Sequence, residues 1–394
     1  MTFPSHRPNP PCIVGIGETR YTRRGEQAAR GEWALACEAA QQAARDAGVD
    51  VHEIDGIASF SGDASLPWLM GHALGLPRLR WASMVWGGGG TGACGALAQA
   101  CAAVQSGQAQ MVLVMRSIVQ RAQARYGQAG GFSEIPQMDL LAPFGMVSPA
   151  IMFAPLFMRY LHETGTPREA LAEVALCFRE NAQHNPRAVT FGHALDRDTY
   201  LRSRWIAEPL RLLDCCQESD GACALLVTTA ERAAALKQMP VRVLAAQQGG
   251  NAGWNAGGMG THTMPVAQYG GGNSAQLADS LYRAAGVTPS DISFAQIYDH
   301  VSPAVLISLE DFGFCARGEA ARFVASGQIH AGGRLPLNTA GGLLSEAYIH
   351  GLNLVNEAVR QLRGTSTRPV RDAQVGLVTA GMGASPTSAA ILAR

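Results

Sequence analysis

The sequence predicts an α/β protein made of two pseudo-repeated halves, and three features carry that expectation. The helix EWALACEAAQQAARD runs into AGV at 47–49, a short acidic turn and the strand phrase IDGIASF; the same order returns in SLYRAAGVTPSDISFAQIYDH, with AGV at 285–287. GGGGTGACGALAQACAAVQSGQAQMVLVM, a glycine turn, a helix and a strand, is echoed by NTAGGLLSEAYIHGLNLVNEAVRQLRG followed by AQVGLVTAGMG. Strands alternating with helices imply largely parallel sheets sandwiched between helical layers. The division falls near residues 231–241, giving an N-terminal half over 1–235 and a C-terminal half over 236–394.

In chain order, PCIVGIGETRY reads as an apolar strand ending in glycines, and an Ala-rich amphipathic helix follows over 32–46. VHEIDGIASFSG supplies a turn and a second strand, and MVLVM, 111–115, is an apolar run of strand length. Between 117 and 190 a mixture of Gln, Gly, Phe, Met and Pro fits neither repeat; it is expected to form an inserted loop region passing over the first half, a type of excursion that often carries binding surfaces. AERAAALKQMP reads as the end of a surface helix stopped by Pro240. The glycine-rich stretch at 249–273 is either an ordered loop near a site or a mobile surface loop.

Composition excludes several classes of function. With 394 residues, 47% hydrophobic and only 16% charged, the chain can bury a large core. Its formal net charge is zero, so no field attracts nucleic acid or an anionic membrane. The nine cysteines are scattered, odd in number and without a C-x-x-C pair, which fits a reducing cytoplasm better than a disulfide framework. MTFPSHRPNPPC has no long apolar segment, so neither export nor a membrane span is expected. The only lysine is Lys237, at the end of the expected surface helix, a poor place for the desolvated amine that Schiff-base chemistry needs.

Few residues carry chemistry on their own account. WGGGGTG, 86–92, precedes a helix whose unpaired N–H groups favour a negative oxygen, but it lacks a P-loop ending; a tight structural turn and an anion site both stay open. YDHVSP sets Tyr298, Asp299 and His300 at a strand end, where an aromatic taken by itself more often packs than reacts. Ten histidines offer metal ligands, yet none stands in H-x-H or H-E-x-x-H spacing. Asp214, Cys215 and Cys216 read as a packed turn, because adjacent side chains diverge on a regular backbone. No metal site is expected.

The two-half plan together with ACGALAQACAAVQSGQAQMVLVM, GFCARGEAARFV, LPLNTAGGLLSEAYIHG and TAGMGASPTS resembles a thiolase of the sterol-carrier-protein-x type. SRWIAEPLRLLDCCQESDGACALLVT and YDHVSP resemble, more narrowly, the bacterial lipid-transfer-protein branch, which includes aldolases that shorten steroid side chains. The likeness covers essentially the whole chain. It implies the thiolase fold, a five-layered αβαβα arrangement that dimerises through its central sheets, and a coenzyme A thioester as substrate with no separate cofactor. For this branch it also implies a heteromer with a small zinc-ribbon and OB-fold protein.

The resemblance assigns positions too. Counted back from Ser106 and Gly107, which close the first repeat's helix, the thiolase nucleophile falls on Gly90; the second thiolase cysteine falls on Leu377, and the catalytic histidine of the 338–351 loop on Tyr348. Cys94 is the nearest thiol, either a buried apolar residue or a displaced nucleophile. These departures remove acyl-transfer chemistry and leave Tyr298 and Tyr348, with Asp299 and His300, as the expected catalytic set. Retro-aldol cleavage of a β-hydroxyacyl-CoA needs a proton taken from the hydroxyl and one returned to the α-carbon, with no covalent intermediate. A phenol, reference pKa near 10, then needs N–H donors or a histidine, His300 or His350, to assist it, with Asp299 opposing. Gly90, Gly341, Gly342, Asn338 and His350 are expected to bind substrate or meet the enolate oxygen. The alternatives are an acetyl-CoA acyltransferase using Cys94 and a non-catalytic acyl-CoA or lipid-binding subunit.

Overall fold

The computed structural model of the chain describes residues 9–60, 64–85, 89–120, 142–251, 269–383 and 386–394. Both AGV phrases end helices in it. Gly48 closes the Gly31–Ala47 helix at φ 74° and Gly286 closes Ala275–Ala285 at φ 69°, a left-handed backbone that strains most other residues by about 1–2 kcal/mol. Each is followed by a capping box, Asp50 with Glu53 and Thr288 with Asp291, and then by a strand. Matching local signals in two places therefore produce matching structure.

The strands are β1 (Pro11–Glu18), β2 (Thr22–Arg23), β3 (Gly56–Phe60), β4 (Trp81–Val85), β5 (Val112–Ile118), β6 (Trp205–Ala207), β7 (Leu210–Arg211), β8 (Ser219–Thr229), β9 (Val241–Gly249), β10 (Phe294–Gln296), β11 (Val375–Ala380) and β12 (Thr387–Ala393). The main sheet runs β10-β11-β12-β9-β1-β8-β5-β3-β4. Its two halves join where Cys12 and Ile13 of β1 face Arg242 and Val241 of β9. The expectation of largely parallel sheets is corrected here. Among the named strands of the described residues, β3 pairs in parallel with β4 and β5, and β10 with β11; the middle is antiparallel. Parallel pairing needs a long crossover, and the short link over 381–386 lets β12 return only antiparallel to β11.

The Ala93–Gln105 and Leu352–Arg363 helices pack between the two halves of the sheet, each touching strands of both. Gly31–Ala47 covers the outer face of β1, β5 and β8, and Ala275–Ala285 covers β9 and β12. This is the αβαβα layering of a thiolase, with three apolar clusters sealing the layers against one another.

The excursion leaves the sheet after Ile118, contributes the Pro149–Thr164 and Leu171–Ala182 helices, and returns at Ser219. It was expected over the first half; its apolar faces instead enter the core of the second. Phe153, Leu156, Phe157, Leu171, Val174 and Phe178 share a cluster with Ile297, Val301 and Leu306. The Ser302–Asp311 helix, buried nearly all round, needs that cover. The surface helix around Lys237 is also shorter than expected: it spans Ala230–Ala233 and leaves Lys237 exposed beyond it. Within the glycine-rich stretch, residues 252–268 lie outside the described residues, as do 121–141 of the excursion.

Candidate active site

Tyr298 follows β10, and its N–H donates to Thr379 Oγ1 on β11 at 2.9 Å. Tyr348 lies in the loop before the Leu352–Arg363 helix, and its N–H donates to Ser219 Oγ, at the start of β8, at 3.2 Å. From these anchors the side chains converge until Tyr298 Oη and Tyr348 Oη are 2.9 Å apart, with either hydroxyl able to donate. The rings meet edge to face, centroids 6.4 Å apart.

Glycine at position 90 has a steric cause. A Cβ there would lie 2.2 Å from Tyr298 Oη, so the phenol stands where a nucleophile's side chain would begin. On Gly351 a Cβ would come within 2.9 Å of the same ring, and on Gly89 it would lie 3.7 Å from Tyr348 Oη. The phenol pair thus rests against the Gly89–Gly92 turn at the start of the Ala93–Gln105 helix, an end whose N–H groups and dipole favour developing negative charge. Trp86, Gly87 and Gly88 of the same motif lie outside the described residues.

Two imidazoles flank the phenols. His300 packs 5.4 Å from the Tyr298 ring and edge-on to Phe153 at 4.9 Å, while His350 meets Tyr348 edge-on at 4.9 Å. Among the described residues neither imidazole has a hydrogen-bond partner on either nitrogen. Burial pushes His300 down to about 4, and burial, then the charge of Arg116, pushes His350 well below the ordinary histidine range. Both are neutral at physiological pH. A histidine cation lowering the phenols is therefore not what this site offers; a neutral imidazole accepts or donates a hydrogen bond.

Asp299 lies beneath the loop with its oxygens engaged by the N–H groups of Leu343 at 2.8 Å and Leu344 at 3.0 Å, which cap the Gly342–Ser345 helix. Burial pushes its carboxyl up to about 7, with those hydrogen bonds pulling the other way. Asn338 Oδ1 accepts from Ile297 N–H at 2.7 Å and its Nδ2 donates to Ile297 O at 2.8 Å, and the same amide also helps hold the Asp299 carboxyl down. The Gly341 N–H is taken by Asn338 O at 2.8 Å. A Cβ on Gly342 would stand 2.3 Å from Asp299 Oδ2. Asp299, Asn338, Gly341 and Gly342 form the frame under the loop, while Tyr298, Tyr348, His300, His350 and the Gly89–Gly90 turn form the row that meets at the phenols.

Cys94 is buried and directs Sγ at Val378 O, 3.7 Å away, and burial raises its thiol far above the ordinary range. Leu377 is buried within β11. The oxygens of Asp214 are taken by the Tyr200 hydroxyl and the Arg211 N–H. No cluster of three His, Cys, Asp or Glu side chains suited to a metal occurs among the described residues. Gly351, Phe153 and Glu346 were not picked out from the sequence. Gly351 had a signal, a glycine closing the quoted loop; Phe153 had none, because its place depends on how the excursion docks.

The layering, with paired phenols facing a glycine turn, defines an α/β protein of thiolase type. A thiolase C-terminal-domain-like region matches residues 272–394. The 17-hydroxy-3-oxo-4-pregnene-20-carboxyl-CoA lyase of Mycobacterium tuberculosis is 41% identical over 97% of this chain and 98% of its own. The steroid side-chain-cleaving aldolase of Thermomonospora curvata is 42% identical over 98% of each. The solved structure of an Ltp2-ChsH2(DUF35) aldolase superposes with a TM-score of 0.90 at 40% identity, covering 99% of both chains. The chain belongs to the thiolase superfamily, in its lipid-transfer-protein branch of steroid side-chain aldolases.

Proposed function

We propose that this chain is an acyl-CoA aldolase that splits a β-hydroxyacyl-CoA, carrying a steroid or another bulky ring, into a ketone and a shorter acyl-CoA. The observation that carries the reading is the phenol pair itself: Tyr298 Oη lies 2.2 Å from where a side chain at residue 90 would begin, and 2.9 Å from Tyr348 Oη. The relative from Mycobacterium tuberculosis is named for a 17-hydroxy, 20-carboxyl-CoA steroid, in which the hydroxyl is β to the thioester.

The substrate hydroxyl passes its proton to one phenol as the Cα–Cβ bond breaks, and the electron pair of that bond moves into the thioester as an enolate. The other phenol returns a proton to the α-carbon. The transfers are coupled through the hydrogen bond between the two hydroxyls: the accepting phenol hands its own proton to the second as the second delivers one to the α-carbon, so neither becomes a phenol cation or a free tyrosinate and both end as they began. Backbone N–H groups of the Gly89–Gly92 turn stabilise the enolate oxygen. Asp299 holds the loop that presents Tyr348.

Coenzyme A enters as part of the substrate, and no separate cofactor takes part. The neighbouring solved structure, an Ltp2-ChsH2(DUF35) aldolase, carries a DUF35 component in its name, and we place a small zinc-ribbon and OB-fold partner of that kind beside this chain too. A second copy of this chain is the other expected partner. None of the nine cysteines is in a disulfide, which supports the reducing cytoplasm, and no helix among the described residues is long and apolar enough to cross a membrane.

The test is to supply β-hydroxyacyl-CoA candidates, with and without the DUF35-type partner, and to measure ketone. Tyr348→Phe is expected to abolish cleavage while thioester binding persists. Full activity in that variant removes Tyr348 from the mechanism, and an acyl adduct trapped on a cysteine during turnover overturns the reading.

A further inference from the structure

Two residues before Tyr348 the loop buries an acid. Glu346 is fully enclosed; its Oε1 accepts from Asn185 Nδ2 at 2.8 Å and its Oε2 from Asn353 Nδ2 at 2.9 Å. The first amide comes from the excursion, just past the Leu171–Ala182 helix, and the second from the inner Leu352–Arg363 helix. Both amides are held in place by a second acceptor. Asn185 Nδ2 also donates to Ala340 O at 3.1 Å, and Asn353 Nδ2 to Ala347 O at 3.1 Å. Val189 N–H closes the same seam by donating to Glu346 O at 2.8 Å.

That geometry asks for a particular chemical group. Two N–H donors, each fixed by a backbone carbonyl, face two oxygens; an ionised carboxylate accepts from both with no proton of its own to place, whereas a protonated one adds an O–H that these donors cannot accept. A glutamine would turn its own NH₂ toward one of the amides. We propose that Glu346 is the positioning residue for Tyr348: its carboxylate, bridging the excursion and the inner helix, sets the loop at the register in which the two phenols meet. This deepens the aldolase reading and rests on it.

The groups facing Glu346 come from every element around it: Glu18 and Tyr21 from β1 and the turn beyond, Arg187 from the excursion, Cys223 from β8, and Glu357 and Arg360 from the inner helix. Both arginines pair with other acids, and both still pull the Glu346 carboxyl down. Arg360 bonds Glu18 and lies 3.6 Å from Glu357, and Arg187 lies 3.6 Å from Glu18. Burial, then repulsion from Glu18, pushes the Glu346 carboxyl up to about 8. A raised pKa means that the ionised, bridging form is gained as pH rises through that region, so the group places an acid-side limb on kcat.

The experiment compares Glu346→Gln with the unaltered protein and with Tyr348→Phe, in the presence of the partner, by kcat, KM and pH profile. Glu346→Gln is expected to lower kcat by about 10- to 100-fold, because a misplacement of about 1 Å can have that effect. KM for the acyl-CoA should stay within about twofold. The limb near pH 8 should disappear. An unchanged kcat, a loss confined to KM, or a limb that persists unshifted overturns the proposal. Should Glu346→Gln fail to fold, Asn185→Ala, which removes one donor from the ionised form, is expected to move the limb to higher pH; no movement overturns it. Tyr348→Phe separates the two readings: full activity there sinks the aldolase mechanism, whereas an inactive Tyr348→Phe beside an unaffected Glu346→Gln sinks only the role of Glu346.

Discussion

The two repeats meet at the phenol pair with opposite contributions. The first repeat brings backbone: Gly89 to Gly92 form a bare turn, and the nearest reactive side chain, Cys94, is buried against Val378 O. The second brings side chains: Tyr348 and His350 from the loop matching that turn, with Tyr298 from the strand end beside it. The contrast teaches that the glycine of one half and the aromatic of the other go together. A Tyr298 ring closely packed against Gly90 and Gly351 fills the space, so glycine at 90 and tyrosine at 298 form one steric unit.

The largest effect that tests this contrast is expected on the side-chain half. Tyr348→Phe removes one hydroxyl of the 2.9 Å pair and should lower kcat by about a thousandfold, inside the range of general acid–base contributions, with acyl-CoA affinity kept. Steady-state kinetics beside a binding isotherm checks it. On the backbone half, Gly90→Ala should lower kcat by about a hundredfold through displacement of Tyr298 alone, since its Cβ would sit 2.2 Å from the phenol oxygen. Retained turnover would show that Tyr298 has room elsewhere and would break the steric link between the halves.

Asp299→Ala should act on stability first. It leaves the Leu343 and Leu344 N–H groups buried without their acceptor, a loss of about 3 kcal/mol readable by chemical denaturation. Activity in the folded fraction sharpens the distinction between frame and chemistry. The smallest effect belongs to Cys94→Ala, which should change kcat by less than about twofold and stability by about 1 kcal/mol. A collapse of activity with the fold intact would return a thiol to the mechanism.

Much of the site was legible because its signals are local. The YDHVSP and NTAGGLLSEAYIHG loops show where Tyr298 and Tyr348 lie, and Gly90 and Leu377 show that no sulfur replaces them. The ionisation of His300 and His350 was not legible, since a histidine's charge depends on how completely other segments desolvate it. Asp299 accepts from the Leu343 and Leu344 N–H groups and Asn338 exchanges hydrogen bonds with the Ile297 backbone, partners whose positions a motif does not disclose.

By itself the sequence determined the repeated helix ends, the capping turns and the inventory of groups at the centre, all of which depend on residues within a few positions of one another. Tertiary structure decided that the excursion roofs the second half, that the middle of the sheet is antiparallel, and that Glu346 is gripped by amides from two distant elements. Those outcomes turn on which apolar faces are left uncovered once the layers stack, and on polar groups that must find partners after burial. Such requirements exist only when the whole chain has folded.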